Sequence, residues 1–227
     1  MSTNPEYFQD GCRIYNLDET STTTVQKCAK ILAEKGIKQV SKAVSAERGT
    51  LVTTCCIINA GHALPPAMMT QNAPGGTLGL VSSSGWMTSE VFPQVIKHFI
   101  KYSHSTKENP SLLIYDNHQS HISIEAIRTA KENGVTVLTL PPHCSHKLQP
   151  LDVSICFSFK SFYNSAVDAW MIKNRGGTVT IYEIGEFVSV AHDRAMTPQN
   201  IKSGFKKTGI FPFNDRVFSD EDFLPSC

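Results

Sequence analysis

Two aspartates in the second half of the chain stand where chemistry would be placed. An apolar run from Leu112 ends in Asp116-Asn117-His118-Gln119-Ser120-His121, and Leu140-Pro141-Pro142-His143 leads through Lys147 to Leu148-Gln149-Pro150-Leu151-Asp152, with 35 residues between the two acids. A carboxylate at the tip of a buried strand is costly without a partner, and a bound cation is the most economical partner for several of them. Upstream, Ile14-Tyr15-Asn16-Leu17-Asp18-Glu19-Thr20 repeats the pattern of an apolar alternation running into an acid. Three such acids predict a metal-dependent, nuclease-like site. Like charges at short range repel and raise one another's pKa, which a divalent cation between them relieves, and hard oxygen donors favour Mg2+ or Mn2+ over zinc. The competing reading is that Asp18 and Asp116 are turn-forming residues after strands, as Asp often is.

Four of the eight histidines, His118, His121, His143 and His146, lie in the same block in two HxxH spacings. On a helix that spacing presents both rings on one face, a zinc pattern for which Cys144 is the further candidate ligand, and a zinc or mixed-metal phosphoesterase using these pairs with Asp116 is one functional reading. Pro141-Pro142 argues against a helix at His143, and Ser120 reads as an N-cap that leaves His118 outside its helix. Supporting or DNA-contacting roles are therefore favoured for the four histidines and for Asn117. Lys147 is either a phosphate contact or a solvated lysine. Trp86 and Trp170 read as core aromatics rather than base-stacking platforms.

The elements that must position these groups follow from periodicity. Arg13 to Leu17 predicts a strand, Val25 to Lys35 a short helix ended by Gly36, and Leu51 to Ile58 a β-branched strand that forms a hairpin, through Asn59-Ala60-Gly61, with an extended piece reaching Leu64. Residues 70–84, rich in Gly, Thr and Ser, predict a loop or edge element. Thr88 is the expected N-cap of a helix whose Phe92, Val95, Ile96, Phe99 and Ile100 share one face. Ser111 to Tyr115, Ile122 to Asn133 with Gly134 as terminator, and Val135 to Leu138 make a βαβ unit, hence parallel strands in a mixed sheet. Past Pro150, the positions Cys156, Phe159, Tyr163, Val167 and Trp170 keep helical spacing, with Asp152 near the helix start, where the dipole favours a negative charge. Residues 175–178 mark a turn, Ile181 to Ala195 a further helix, and the acidic tail from Phe213 should fray. Asp18 and Asp116 are thus expected at strand ends and Asp152 on a helix.

Bulk composition limits the function classes. A chain of 227 residues with 41% hydrophobic and 18% charged residues fits one soluble globular domain with an appendage. A net charge of +1 and a pI near 7.6 do not advertise nucleic-acid binding, so any DNA affinity must be local. The longest basic run is Lys206-Lys207, which is no import signal. Seven irregularly spaced cysteines without a CxxC pair, behind a polar start, predict reduced thiols in an intracellular protein, and no apolar stretch approaches a membrane span.

Together, Asn16-Leu17-Asp18-Glu19-Thr20, Asp116-Asn117-His118-Gln119-Ser120-His121 and the run from Leu140 to Asp152 closely resemble the DDE endonuclease domain of pogo/Tigger-type transposases. These belong to the wider Tc1/mariner group, which also includes jerky-like and centromere protein B-like host proteins. Ser84-Gly85-Trp86-Met87-Thr88 and the run from Asn200 to Asn214 resemble that family as well, so the likeness spans most of residues 12 to 215. The resemblance implies an α/β, RNase H-like fold with a mixed five-stranded sheet flanked by helices. It implies that Asp18, Asp116 and Asp152 are the catalytic acids and hold two Mg2+ (or Mn2+) ions for in-line displacement at phosphorus, with DNA as partner and the nucleus as location. It divides the chain into an N-terminal tail (1–11), a catalytic core (12–172), a C-terminal helical extension (173–214) and an acidic tail (215–227). Such transposases carry helix-turn-helix modules ahead of the catalytic domain, and the 17 residues before Asp18 are too few for one. The expectation is a fragment, or a domain that relies on a homodimer or a partner carrying a DNA-binding module. The alternative is a catalytically silent, host-adopted nucleic-acid-binding or interaction protein that keeps the fold.

Overall fold

The computed structural model describes residues 11–25, 49–61, 73–219 and 222. The helix expected from Val25 to Lys35 and the extended piece through Leu64 lie outside these residues. Among them, four strands form one sheet in the order β2-β1-β3-β4. These are β1 (Ile14–Thr23), β2 (Leu51–Asn59), β3 (Ser111–Asp116) and β4 (Val135–Leu140). Among the described residues no fifth strand forms: residues 77–82 make no ladder with β2, and the neighbouring Pro74, Gly75, Gly76 and Gly79 supply one missing donor and little side chain to pack. β2 pairs antiparallel with β1, from Tyr15 opposite Asn59 to Thr23 opposite Leu51. β3 runs parallel to both β1 and β4, so the sheet is mixed and the βαβ unit is formed as expected.

β1 is longer than its apolar pattern predicts. It continues five residues past Asp18 because Thr20, Ser21, Thr22 and Thr23 stay paired with Thr54, Thr53, Val52 and Leu51 of β2. These short, mostly β-branched side chains suit a pleated surface although they lack hydrophobic alternation. Asp18 is therefore a mid-strand residue, whereas Asp116 ends its strand as expected.

Alternation along β1 and β3 builds two cores. Tyr15, Leu17, Leu113 and Tyr115 face α1 (Phe92–Ser103) and α2 (Ile124–Glu132), meeting Phe92, Ile96, Phe99 and Ala126. Ile14, Leu112 and Ile114 face the other way, onto α4 (Pro150–Ser154), α5 (Cys156–Lys173), α6 (Ile181–Ala195) and α7 (Pro198–Lys207), through Leu151, Phe159, Phe187 and Phe205. A short α3 (Ser145–Leu148) precedes α4. Helix starts follow local chemistry. Thr180 and Glu183 form a capping box at α6, Ser123 rather than Ser120 caps α2, and Thr88 caps a turn just ahead of α1. The C-terminal helices brace the sheet. Gly204 of α7 lies so close to α4 that an added Cβ would stand 2.6 Å from the carbonyl oxygen of Pro150.

Candidate active site

The parallel pairing of β1 with β3 ends with Asn16 opposite Ile114, two residues before Asp18 on one strand and Asp116 on the other. β3 and β4 end together, with Asp116 opposite Leu140, and the chain leaving β4 returns through α3 and α4 to bring Asp152 beside Asp18. A buried amide network fixes that return. Asn16 and Gln149 are both fully buried, and Asn16 Nδ2 donates to the Ile114 carbonyl (3.0 Å) and to Gln149 Oε1 (3.2 Å). The Leu151 N–H donates to Asn16 Oδ1 at 3.0 Å. The side chains two residues before Asp18 and three before Asp152 thus pin the two acids to each other.

The result is a cluster in which a carboxylate oxygen of Asp18, one of Asp152 and the sulfur of Cys156 lie within 4.8 Å of one another. The Cys156 thiol donates to Asp18 Oδ2 at 3.9 Å. Burial, then the charge of Asp152, pushes the Asp18 carboxyl up to about 7, against hydrogen bonds from the Glu19 backbone and the Gln149 side chain that favour its ionised form; Asp116 adds a smaller upward push. Burial and neighbouring carboxylates also raise the thiols of Cys56, to about 12, and of Cys55 and Cys156.

Asp116 sits differently. Its Oδ1 accepts from His121 Nδ1 at 2.6 Å and from the His118 N–H at 3.1 Å, while His121 Nε2 donates to Glu19 Oε1 at 2.8 Å. The His121 side chain is 1% exposed, enclosed by the rings of Phe92 and Tyr115. Burial alone would lower its pKa, but the two carboxylates outweigh that and hold it up at about 10, so the ring is an imidazolium at neutral pH. Burial works to raise Asp116, yet the bonds from His121 and His118 hold it below the usual range.

The remaining expected residues divide by position. Asn117 and His118 are exposed at the end of β3, where the His118 ring pairs with Ser120 Oγ at 2.7 Å. His143, in a left-handed turn (φ 62°), His146 and Lys147 are exposed on the segment leading to Asp152, and Lys147 pairs with Asp222. The HxxH zinc reading fails on geometry. Both ring nitrogens of His121 are engaged by carboxylates, and among the described residues the histidines and Cys144 join no metal-sized cluster. Trp86 is 57% exposed and not a core residue, whereas Trp170 packs on Phe187. The sequence reading missed Glu19, Asn16, Gln149 and Cys156. Strand parity was the available signal for Glu19, which must face away from Asp18. Cys156 lies four residues after Asp152 but filled a core position of the next helix.

Residues 77–205 match the DDE superfamily endonuclease family, and the chain belongs to it. The matched stretch contains Asp116 and Asp152, and β1 of the sheet brings in Asp18 from outside it. The chain is similar to the crystal structure of the Mos1 strand transfer complex, with a TM-score of 0.59, 16% identity and coverage of 89% of this chain and 54% of that one. The Mos1 paired-end complex with left transposon end gives a TM-score of 0.48 at 15% identity, covering 90% and 58%. The first likeness establishes the RNase H-like fold. A protein of Cochliobolus lunatus described as MFS-type transporter clz9 is 33% identical over 92% of this chain, which spans only 24% of that relative. Among the described residues no helix is long and apolar enough to cross a membrane.

Proposed function

We propose that this chain is the catalytic part of a pogo/Tigger-type transposase, acting in the nucleus and cleaving DNA phosphodiester bonds, with Asp18, Asp116 and Asp152 as the acids that hold two Mg2+ or Mn2+ ions. Residues 12–172 are its catalytic core and 173–214 the helical extension, flanked by tails at 1–11 and 215–227. The observation that carries the reading is the meeting of Asp18 and Asp152, from a strand and a distant helix, with Asp116 at the end of the neighbouring strand and its charge still felt by Asp18. The donor set fits hard divalent cations: a buried carboxyl driven up to about 7 by desolvation and a like charge is what a nearby cation would relieve. Such ions, when bound, polarise the scissile phosphate and activate the attacking hydroxyl.

The residues of the chain have separate tasks. Asn16 and Gln149 hold Asp152 against Asp18. His121 fixes Asp116 through Oδ1, and both bonds to that carboxylate fall on the same oxygen, which leaves Oδ2 for a ligand. Exposed Asn117, His118, His143, His146 and Lys147 border the acids at the strand ends and provide contacts to the DNA backbone. End recognition falls to a DNA-binding module of the same or a partner chain, since the net charge is only +1. Nicking of supercoiled plasmid in Mn2+ tests the assignment. Conversion by the wild type, lost in Asp18→Asn, Asp116→Asn and Asp152→Asn, supports it. Absence of nicking by a wild type that binds Mn2+ favours the silent, host-adopted reading.

A further inference from the structure

The third member of the cluster is a thiol. Cys156 opens α5, is 8% exposed, and shares the 4.8 Å cluster with Asp18 and Asp152, whereas Asp116 is outside it. Two carboxylate oxygens and one sulfur form a donor set unlike that of a Mg2+ site, because magnesium discriminates against sulfur, while zinc, cobalt and cadmium accept mixed sulfur and oxygen ligands. Three protein ligands plus water complete a tetrahedral zinc site. Ligand atoms on one zinc stand about 3–4 Å apart given bonds of about 2.0–2.3 Å. Exposed Asp152 has the freedom to close that gap. A second observation lies on the same face of β1 by alternation: Thr20, two residues beyond Asp18, is 3% exposed, and its Oγ1 has no hydrogen-bond partner among the described residues.

We propose that Asp18, Asp152 and Cys156 form a binding site for a single thiophilic divalent cation, of the Zn2+ or Cd2+ class, distinct in its ligands from the all-carboxylate set. Binding replaces the thiol proton: the S–H bond breaks, a metal–sulfur bond forms, and the proton passes to solvent. The occupant takes two acids that the nicking reaction requires, so it would block that reaction; this consequence alone rests on the reading above. Cys56, opposite Asp18 on β2, flanks the site without belonging to the cluster, whereas Cys55, opposite Glu19, packs on the other face of the sheet.

The test uses Co2+ as the spectroscopic substitute for zinc. The expected result is a thiolate-to-cobalt charge-transfer band in the near ultraviolet for the wild type, titrating to one equivalent, displaced by Zn2+ and accompanied by proton release. The band should vanish in Cys156→Ser and weaken in Asp152→Asn, with Zn2+ affinity falling more than about tenfold in each, since loss of even an outer-shell partner costs that much. Cys56→Ser should keep the band. Absence of the band in the wild type, or its persistence in Cys156→Ser, overturns the inference. Asp152 is exposed, so its variant gives a readout that does not depend on repacking the core. None of these readouts requires nicking, so failure of the nicking reaction leaves them decisive.

Discussion

Asp18 and Glu19 are neighbours on one strand and have opposite surroundings. Glu19 points to the α1/α2 side, where the buried His121 imidazolium joins it to Asp116 and the negative charge is balanced from within the chain. Asp18 points to the α4/α5 side, where its closest titratable neighbours are Asp152 and a thiol, and no protein cation balances it within that cluster. The difference shows in their environments: His121 is held charged with its pKa at about 10, and the Asp18 carboxyl is raised to about 7. One side of the sheet is electrostatically closed, and the other is arranged for a cation supplied from outside.

Removing the internal cation should produce the largest effect. His121→Leu removes the cation from Glu19 and Asp116 and leaves Asp116 only the His118 N–H, and the expected loss is about 3–5 kcal/mol in urea unfolding at neutral pH, with a smaller loss in acid, where the carboxylates neutralise. The open side should respond to pH with the reverse of the usual carboxylate sign. Asp18 has a folded pKa near 7 against 3.8 as the reference, so the folded state binds more protons between these values and stability falls as pH rises through that window. In chelator-treated protein this decline amounts to at most about 4 kcal/mol, is absent in Asp18→Asn, and is reversed by Mn2+. Thermal melts from pH 4 to 8 would check it.

The scaffold between the two sides gives smaller effects. Asn16→Leu leaves Gln149, the Ile114 carbonyl and the Leu151 N–H short of partners, for an expected loss of about 2–3 kcal/mol and weaker Mn2+ binding as Asp152 drifts from Asp18. Gly204→Ala pushes α7 away from the Pro150 carbonyl under α4, costing about 1–2 kcal/mol in the same unfolding assay.

Much of this arrangement was legible in the residues because periodicity encodes it. The β3-α2-β4 unit, α5 and α6 all carry an apolar stripe of the right period, and the acidic motifs pointed to Asp18 and Asp152, which meet, and to Asp116 at the end of the neighbouring strand. What was hidden had no hydrophobic signature. The second half of β1 is Thr and Ser and is held by cross-strand pairing. The choice of Ser123 over Ser120 as a cap depends on where His121 is buried. The Glu19–His121–Asp116 chain joins residues 102 apart in sequence at one end and five apart at the other, which only the sheet order brings together. Trp86 looked like core because of its size and is left on the surface.

The most direct measurement is calorimetric titration of Mn2+ into three proteins: the wild type, Asp18→Asn and Glu19→Gln. The account predicts that the wild type binds, that Asp18→Asn loses most of the binding, and that Glu19→Gln, whose amide oxygen can still accept from His121, retains it. Equal binding by the wild type and Asp18→Asn, or loss confined to Glu19→Gln, would contradict the assignment of the open side of the sheet as the cation site.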